Sequence, residues 1–258
     1  MQIGIFDSGV GGISVLHDAI KLLPQEDYLY YADTLNVPYG PKPNEEVKKH
    51  VFAAMDFIVQ QGVKAIVVAC NTATSVAIGD LRSKYGIPII GMEPAVKPAL
   101  ENNSNRRILV TATALTLKEE KMQSLIAKLD NAHLVDSLPL PGLVEFAEKL
   151  EFDDNVVLPY LQEQLAQYDL NEYGTVVLGC THFPFFKDLI KRILPTGIDI
   201  IDGNLGTVKN LVRILKEMDA LHHGSGKITY YNSGIQVEDR VKLEAYDILL
   251  KRMESVRA

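Results

Sequence analysis

Cysteine is scarce in this sequence. Its 258 residues carry only two thiols, Cys70 and Cys180. That excludes a disulfide framework and fits a reducing compartment, so a cytoplasmic protein is expected. There is no Cys-x-x-Cys and no dense Cys/His cluster, so no metal site is expected. No apolar run reaches the roughly 18 residues of a membrane span. The opening MQIGIFDSG lacks the charged start and apolar segment of a secretion signal. Lys and Arg are dispersed and the net charge is −7, so neither nucleic acid nor an anionic membrane surface is an expected partner. Low-complexity linkers are absent too.

What is present is an ordinary globular composition, 47% hydrophobic and 23% charged, with short apolar runs alternating with amphipathic stretches. IGIF (3–6), YLYYA (28–32), KAIVVA (64–69), PII (88–90), RILVTA (107–112), TVVLG (175–179) and IDII (198–201) read as strands. Helices are expected from Ile13 to Leu23 and from about Thr74 to Tyr85. A third follows Asn44 as N-cap, with Glu45 and Glu46 in its first turn, Val47, Val51, Met55 and Ile58 on one face, and Gly62 as its stop. The alternation predicts an α/β protein with mostly parallel sheets and helices on both faces. The polar stretch ENNSNRR (101–107) and the glycines at 203–206 suggest breaks. The expected organisation is two similar α/β lobes, 1–96 and 97–206, with 207–258 returning to the first and the active site in the cleft between them.

In parallel sheets ligands bind beyond the carboxyl ends of strands, and three motifs sit there. DSGVGG (7–12) could be a tight strand-to-helix turn, or could present Asp7 and Ser8 beside helix-terminal amides. A dinucleotide fingerprint fails because Ser14 stands at the third glycine position, although Asp33 ends the second strand where a ribose-binding acid could lie. ACNTATS places Cys70 before Asn71 and Thr72, and GCTHFP places Cys180 before Thr181 and His182. A buried cysteine is most simply a small hydrophobe. Two thiols at strand–helix junctions, where a helix start can lower a thiol pKa, each followed by polar residues, suggest chemistry instead. His182 beside Cys180 suits proton relay or thiolate stabilisation. NVPYG (36–40) is a Pro/Gly turn or brings Tyr39 and Gly40 to a pocket, and Glu145 reads as an exposed helix residue.

Two matched thiols suit a dithiol–disulfide redox couple, a peroxidase with a resolving cysteine, or a racemase. Inverting a Cα centre without a cofactor needs a base on one face and an acid on the other, with roles that swap for the reverse reaction. Two similar groups from two similar lobes supply that symmetry, and the residues alone leave all three open.

DSGVGG, YADTLNVPYG, ACNTATS, GMEPAV and GCTHFP, in this order and spacing, closely resemble the glutamate racemases of the aspartate/glutamate racemase superfamily over nearly the whole chain. The resemblance implies cofactor-independent racemisation of glutamate, supplying D-glutamate for peptidoglycan and hence cell shape. It implies Cys70 and Cys180 as catalytic acid/bases, the first serving D-glutamate and the second L-glutamate, assisted by Asp7 and His182. It implies substrate contacts from Asp7, Ser8, Tyr39, Gly40, Asn71, Thr72, Thr113, Thr116, Thr181 and His182. Ala112 stands where the family has a glycine, and Gly203 where it often has serine. Glu145 aligns with a family glutamate. The expected partners are the substrate and a second copy of the chain, as a homodimer. Some relatives carry regulatory N-terminal extensions; this sequence opens two residues before its first strand, so that control is not expected.

Overall fold

The computed structural model describes residues 1–92, 95–101, 106–130, 133–221 and 224–257. Glu93 and Pro94 of the GMEPAV motif, and residues 102–105 of the polar break, lie outside the described residues.

Strands β1 (Ile3–Asp7), β2 (Tyr28–Ala32), β3 (Ala65–Val68) and β4 (Ile89–Gly91) alternate with helices α1 (Ile13–Leu22), α2 (Asn44–Gln60) and α3 (Asn71–Lys84). After α4 (Val96–Glu101) a second series runs β5 (Arg107–Ala112), α5 (Ala114–Lys118), α6 (Glu120–Leu129), β6 (Val135–Pro139), α7 (Pro141–Glu148), α8 (Asp154–Leu165), β7 (Tyr173–Leu178), α9 (Lys187–Ile193) and β8 (Asp199–Asp202). The chain closes with α10 (Asn204–Glu217), β9 (Ile228–Asn232), β10 (Ile235–Gln236) and α11 (Arg240–Arg257).

Among the described residues the strands form two sheets, ordered β10-β9-β2-β1-β3-β4 and β6-β5-β7-β8. All pairings are parallel except that of β10 with β9. The central strands read as unbroken apolar runs because helices cover both faces: every residue of β1, β2 and β3 is buried. In α2 the stripe Val47, Val51, Ala54, Met55 and Ile58 is buried, and Gly62 ends the helix region at φ +73°. β6 and β9 are half-buried, and β6 lies at a sheet edge, so the apolar pattern does not reveal them.

Two boundaries differ from the sequence reading. Pro43, not Asn44, is the cap of α2; its carbonyl accepts from Val47 N–H, and the Asn44 amide instead donates to Glu119 at 2.8 Å. Helix α3 begins at Asn71 rather than near Thr74, because the Cys70 thiol itself caps it, accepting from Ala73 N–H at 3.4 Å. The second sheet ends with β8 at Asp202, and α10, which contains Gly206, packs on α1. The first residue of α10 already ties back to the first sheet's elements, with Asn204 Nδ2 donating to Ser14 Oγ at 3.1 Å.

Candidate active site

The carboxyl ends of β1, β3, β5 and β7 converge on one pocket. The first sheet's side contributes Ser8, Tyr39, Gly40, Cys70, Asn71 and Thr72 to its wall. The second contributes Thr113, Val144, Cys180, Thr181 and His182. Both thiols are therefore on one cavity, each from a different sheet. Asp7 and Thr116 stand behind the wall. Thr116 closes a hydroxyl triangle with Thr72 and Thr113, at 2.9–3.0 Å on each side, which joins the starts of α3 and α5. Tyr39 is held by Asp33, whose carboxylate accepts from the phenol at 2.6 Å, from the Asn36 amide and from Ser233 Oγ. Asp33 is thus a support for the pocket wall, not a ribose ligand.

The thiols have different surroundings. Cys70 Sγ lies 3.6 Å from Ser8 Oγ and is 5% exposed. The helix start pulls it down through the Ala73 N–H, but burial, and then the charge of Asp7, outweigh that and push the Cys70 thiol up to about 12. Cys180 Sγ lies 3.6 Å from His182 Nδ1, and His182 Nε2 lies 2.7 Å from Glu148 Oε1. Burial works against charge on His182, but the hydrogen bonds and negative charge of Cys180 and Glu148 win and hold the imidazole well above its usual range. Asp7 is fully buried; its carboxylate accepts from Gly9 N–H at 3.0 Å and Thr181 Oγ1 at 3.1 Å. Burial outweighs the opposing pull of His182 and these two donors and raises Asp7 to about 6.

Glu148 is the member of this group that sequence reasoning missed. Glu145 is exposed, while Glu148 reaches the site and also accepts from Val10 N–H at 2.9 Å. The signal was helical spacing: Glu148 is four residues beyond the pocket residue Val144, hence on the same face of α7.

The glycine turn after β1 serves this approach. A Cβ on Gly9 would overlap the Glu148 carboxylate, and one on Gly11 would overlap His182 Nδ1 and Thr181 Oγ1. These glycines thus let groups from the second sheet come close to the turn after β1. Gly11→Ala is expected to lower turnover on the order of tenfold while the chain still folds, because the two halves must part by a fraction of an ångström. Activity equal to wild type would show that the close contact is not needed.

The sequence profile of the Asp/Glu/Hydantoin racemase family matches residues 11–211. A glutamate racemase of Halothermothrix orenii is 55% identical over 94% of this chain and 96% of its own. The crystal structure of the Thermus thermophilus glutamate racemase in complex with β-chloro-D-alanine superposes with a TM-score of 0.78 at 34% identity, covering 98% of this chain and 92% of that one. That of the Francisella tularensis glutamate racemase in complex with D-glutamate does so with a TM-score of 0.82 at 26% identity, covering 97% and 93%.

Proposed function

The chain belongs to the Asp/Glu/hydantoin racemase family, and from that premise we propose that it interconverts L- and D-glutamate by proton transfer between Cys180 and Cys70 across one Cα. The observation that carries the reading is the meeting of two thiols from two sheets at a single pocket, each backed by its own titratable group. Cys70 keeps its proton, with Asp7 beside it. At Cys180 an imidazolium held between sulfur and the Glu148 carboxylate is the partner a thiolate needs. Cys180 then takes the Cα proton of L-glutamate while Cys70 delivers one to the opposite face, and the roles reverse for D-glutamate.

Among the described residues no Lys or Arg lines the pocket. The substrate carboxylates are held by Ser8, Thr72, Thr113 and Thr181 hydroxyls and by amides at the start of α3. Asn71 Oδ1 is buried with no hydrogen-bond partner among the described residues, and supplies an acceptor for the substrate ammonium. Without a fixed cation, the enolate-like transition state depends on enclosure, which strengthens these dipoles by excluding water.

Circular-dichroism polarimetry of the purified protein with L-glutamate, without added cofactor, tests the reading; constant optical rotation would sink it. Glutamate is expected to give a higher kcat/KM than aspartate, and the reverse order would reassign the chain to an aspartate-specific sister.

The same reading places the chain in the cytoplasm, supplying D-glutamate for peptidoglycan, and divides it as 1–96, 97–206 and 207–258. The described helices include none long and apolar enough to cross a membrane. A homodimer is the proposed assembly; a monomeric mass by light scattering would count against it.

A further inference from the structure

The turn that carries Cys180 and His182 is not held by the second sheet alone. It continues into a tight 3-10 turn, Phe183–Phe186, in which Cys180 C=O accepts from Phe183 N–H at 3.1 Å and His182 C=O accepts from Phe185 N–H at 3.4 Å. The Phe185 carbonyl, in the following peptide, is gripped from outside. Arg252, on α11, donates through Nε to Phe185 C=O at 2.9 Å and through its terminal nitrogen to Asp188 Oδ1 at 2.6 Å. Its guanidinium lies 5.2 Å from the centre of the Phe152 ring, which itself packs against Phe185 and Phe186. Arg252 is mostly buried, and α11 is anchored to the first sheet's side through Glu254 with His17 and Arg257 with Asp18.

We infer that Arg252 is a positioning residue for the racemase reaction, setting the Cys180–His182 pair through the Phe185 carbonyl and the 3-10 turn that carries it. The inference rests on the racemase reading above. The physical case is one of leverage. The Cys180–His182 contact, at 3.6 Å, is near the limit for a sulfur hydrogen bond, so a small rotation of the turn breaks it. A guanidinium anchored on the Asp188 carboxylate by one donor directs its other donor at the Phe185 carbonyl in a way that a point charge does not. Among the described residues no Arg hydrogen-bonds the turn that carries Cys70, so the effect falls on one half of the proton relay.

That one-sidedness is measurable. Two enantiomers have an equilibrium constant of one, so kcat/KM must fall equally in both directions in any variant. The Cα-deuterium isotope effects are not so bound. If proton transfer at Cys180 slows, the isotope effect rises for the enantiomer deprotonated by Cys180. It falls towards unity for the other, whose deuteron leaves to Cys70 in a step that no longer limits. The experiment measures both isotope effects in wild type, Arg252→Met, Arg252→Lys and, as a reference for damage on the Cys180 side, His182→Asn. Expected for Arg252→Met is a loss in kcat/KM of about tenfold, with the isotope effects splitting in the same sense as in His182→Asn. Arg252→Lys, which keeps one donor to the turn, is expected to recover part of the loss. Isotope effects that stay at wild-type values, shift together, or split in the opposite sense would overturn the assignment. Should Arg252→Met fail to fold, Asp188→Asn loosens the same guanidinium and is expected to split the effects in the same sense; unchanged effects there would overturn it equally. Wild-type protein without racemase activity would instead overturn the underlying reading, before any variant is made.

Discussion

Cys180→Ala is expected to remove racemisation almost entirely, lowering kcat/KM by about 10³-fold or more, and Cys70→Ala is expected to do the same. Each thiol is one half of a relay. With either gone, one face of Cα has no group to give or take a proton, and the remaining half cannot complete an inversion. The substitutions leave the fold in place: both thiols are small and buried, and trimming one sulfur leaves a cavity costing about 1 kcal/mol. Isotope incorporation separates two bases from one. In deuterated water with L-glutamate, stopped early, new D-glutamate is expected to carry deuterium at Cα, because the Cys70 thiol exchanges with solvent between turnovers. Residual L-glutamate is expected to carry little, since Cys180 returns the proton it took. Early deuterium in the L-glutamate would point to a single shared base, and near-normal activity in either alanine variant would end the two-thiol assignment.

Asp7→Asn is expected to make a slower and more stable protein. Asp7 titrates near 6 in the folded chain against an ordinary 3.8. A raised carboxyl means the folded state binds more protons than the unfolded one between those values. Its contribution to stability is therefore fully present below about pH 3.8 and lost as pH rises through 6. By pH 8 the buried charge costs about 3 kcal/mol. Asparagine keeps the shape, accepts from Gly9 N–H and stays neutral at every pH. Urea midpoints are thus expected to favour the variant at pH 8 and to converge with wild type as the pH nears 4. Turnover is expected to drop by 10²–10³-fold on the order of a lost proton-transfer assistant, because Cys70 no longer has a carboxylate beside it. A variant no more stable than wild type at pH 8 would show that the charge is compensated by groups other than those seen here. This exchange of stability for function follows from burying a carboxylate beside a thiol that must ionise.

The group of side chains around the thiols was unevenly legible. Cys70, Asn71, Thr72, Cys180, Thr181 and His182 announced themselves because each triplet ends an apolar strand, and short polar residues are not needed there for packing. Their helical role was hidden for the same reason: Asn71 and Thr72 look like loop residues, yet they form the first turn of α3. Asp33 stands at a strand end where a ribose-binding acid could lie, while its actual partners, Tyr39 and Ser233, are six and 200 positions away. Arg252 carried no signal at all, as an ordinary charged residue on an amphipathic helix.

The sequence by itself determined the alternation of strands and helices, the parallel sheets and the strand-end placement of both thiols. These follow from local periodicity, which burial on one or two faces imposes on a few neighbouring residues. The tertiary structure alone decided which distant groups meet. It put Glu148 rather than Glu145 behind His182 and made the DSGVGG glycines clearance for the other half. It also set the proton affinities: Cys70 pushed up where a helix start suggested a lowered thiol, and Asp7 raised despite two hydrogen-bond donors. The reason is that burial and charge act through space. Whether a carboxylate or a thiol has lost its water depends on what the rest of the chain packs over it, and no spacing along the sequence records that.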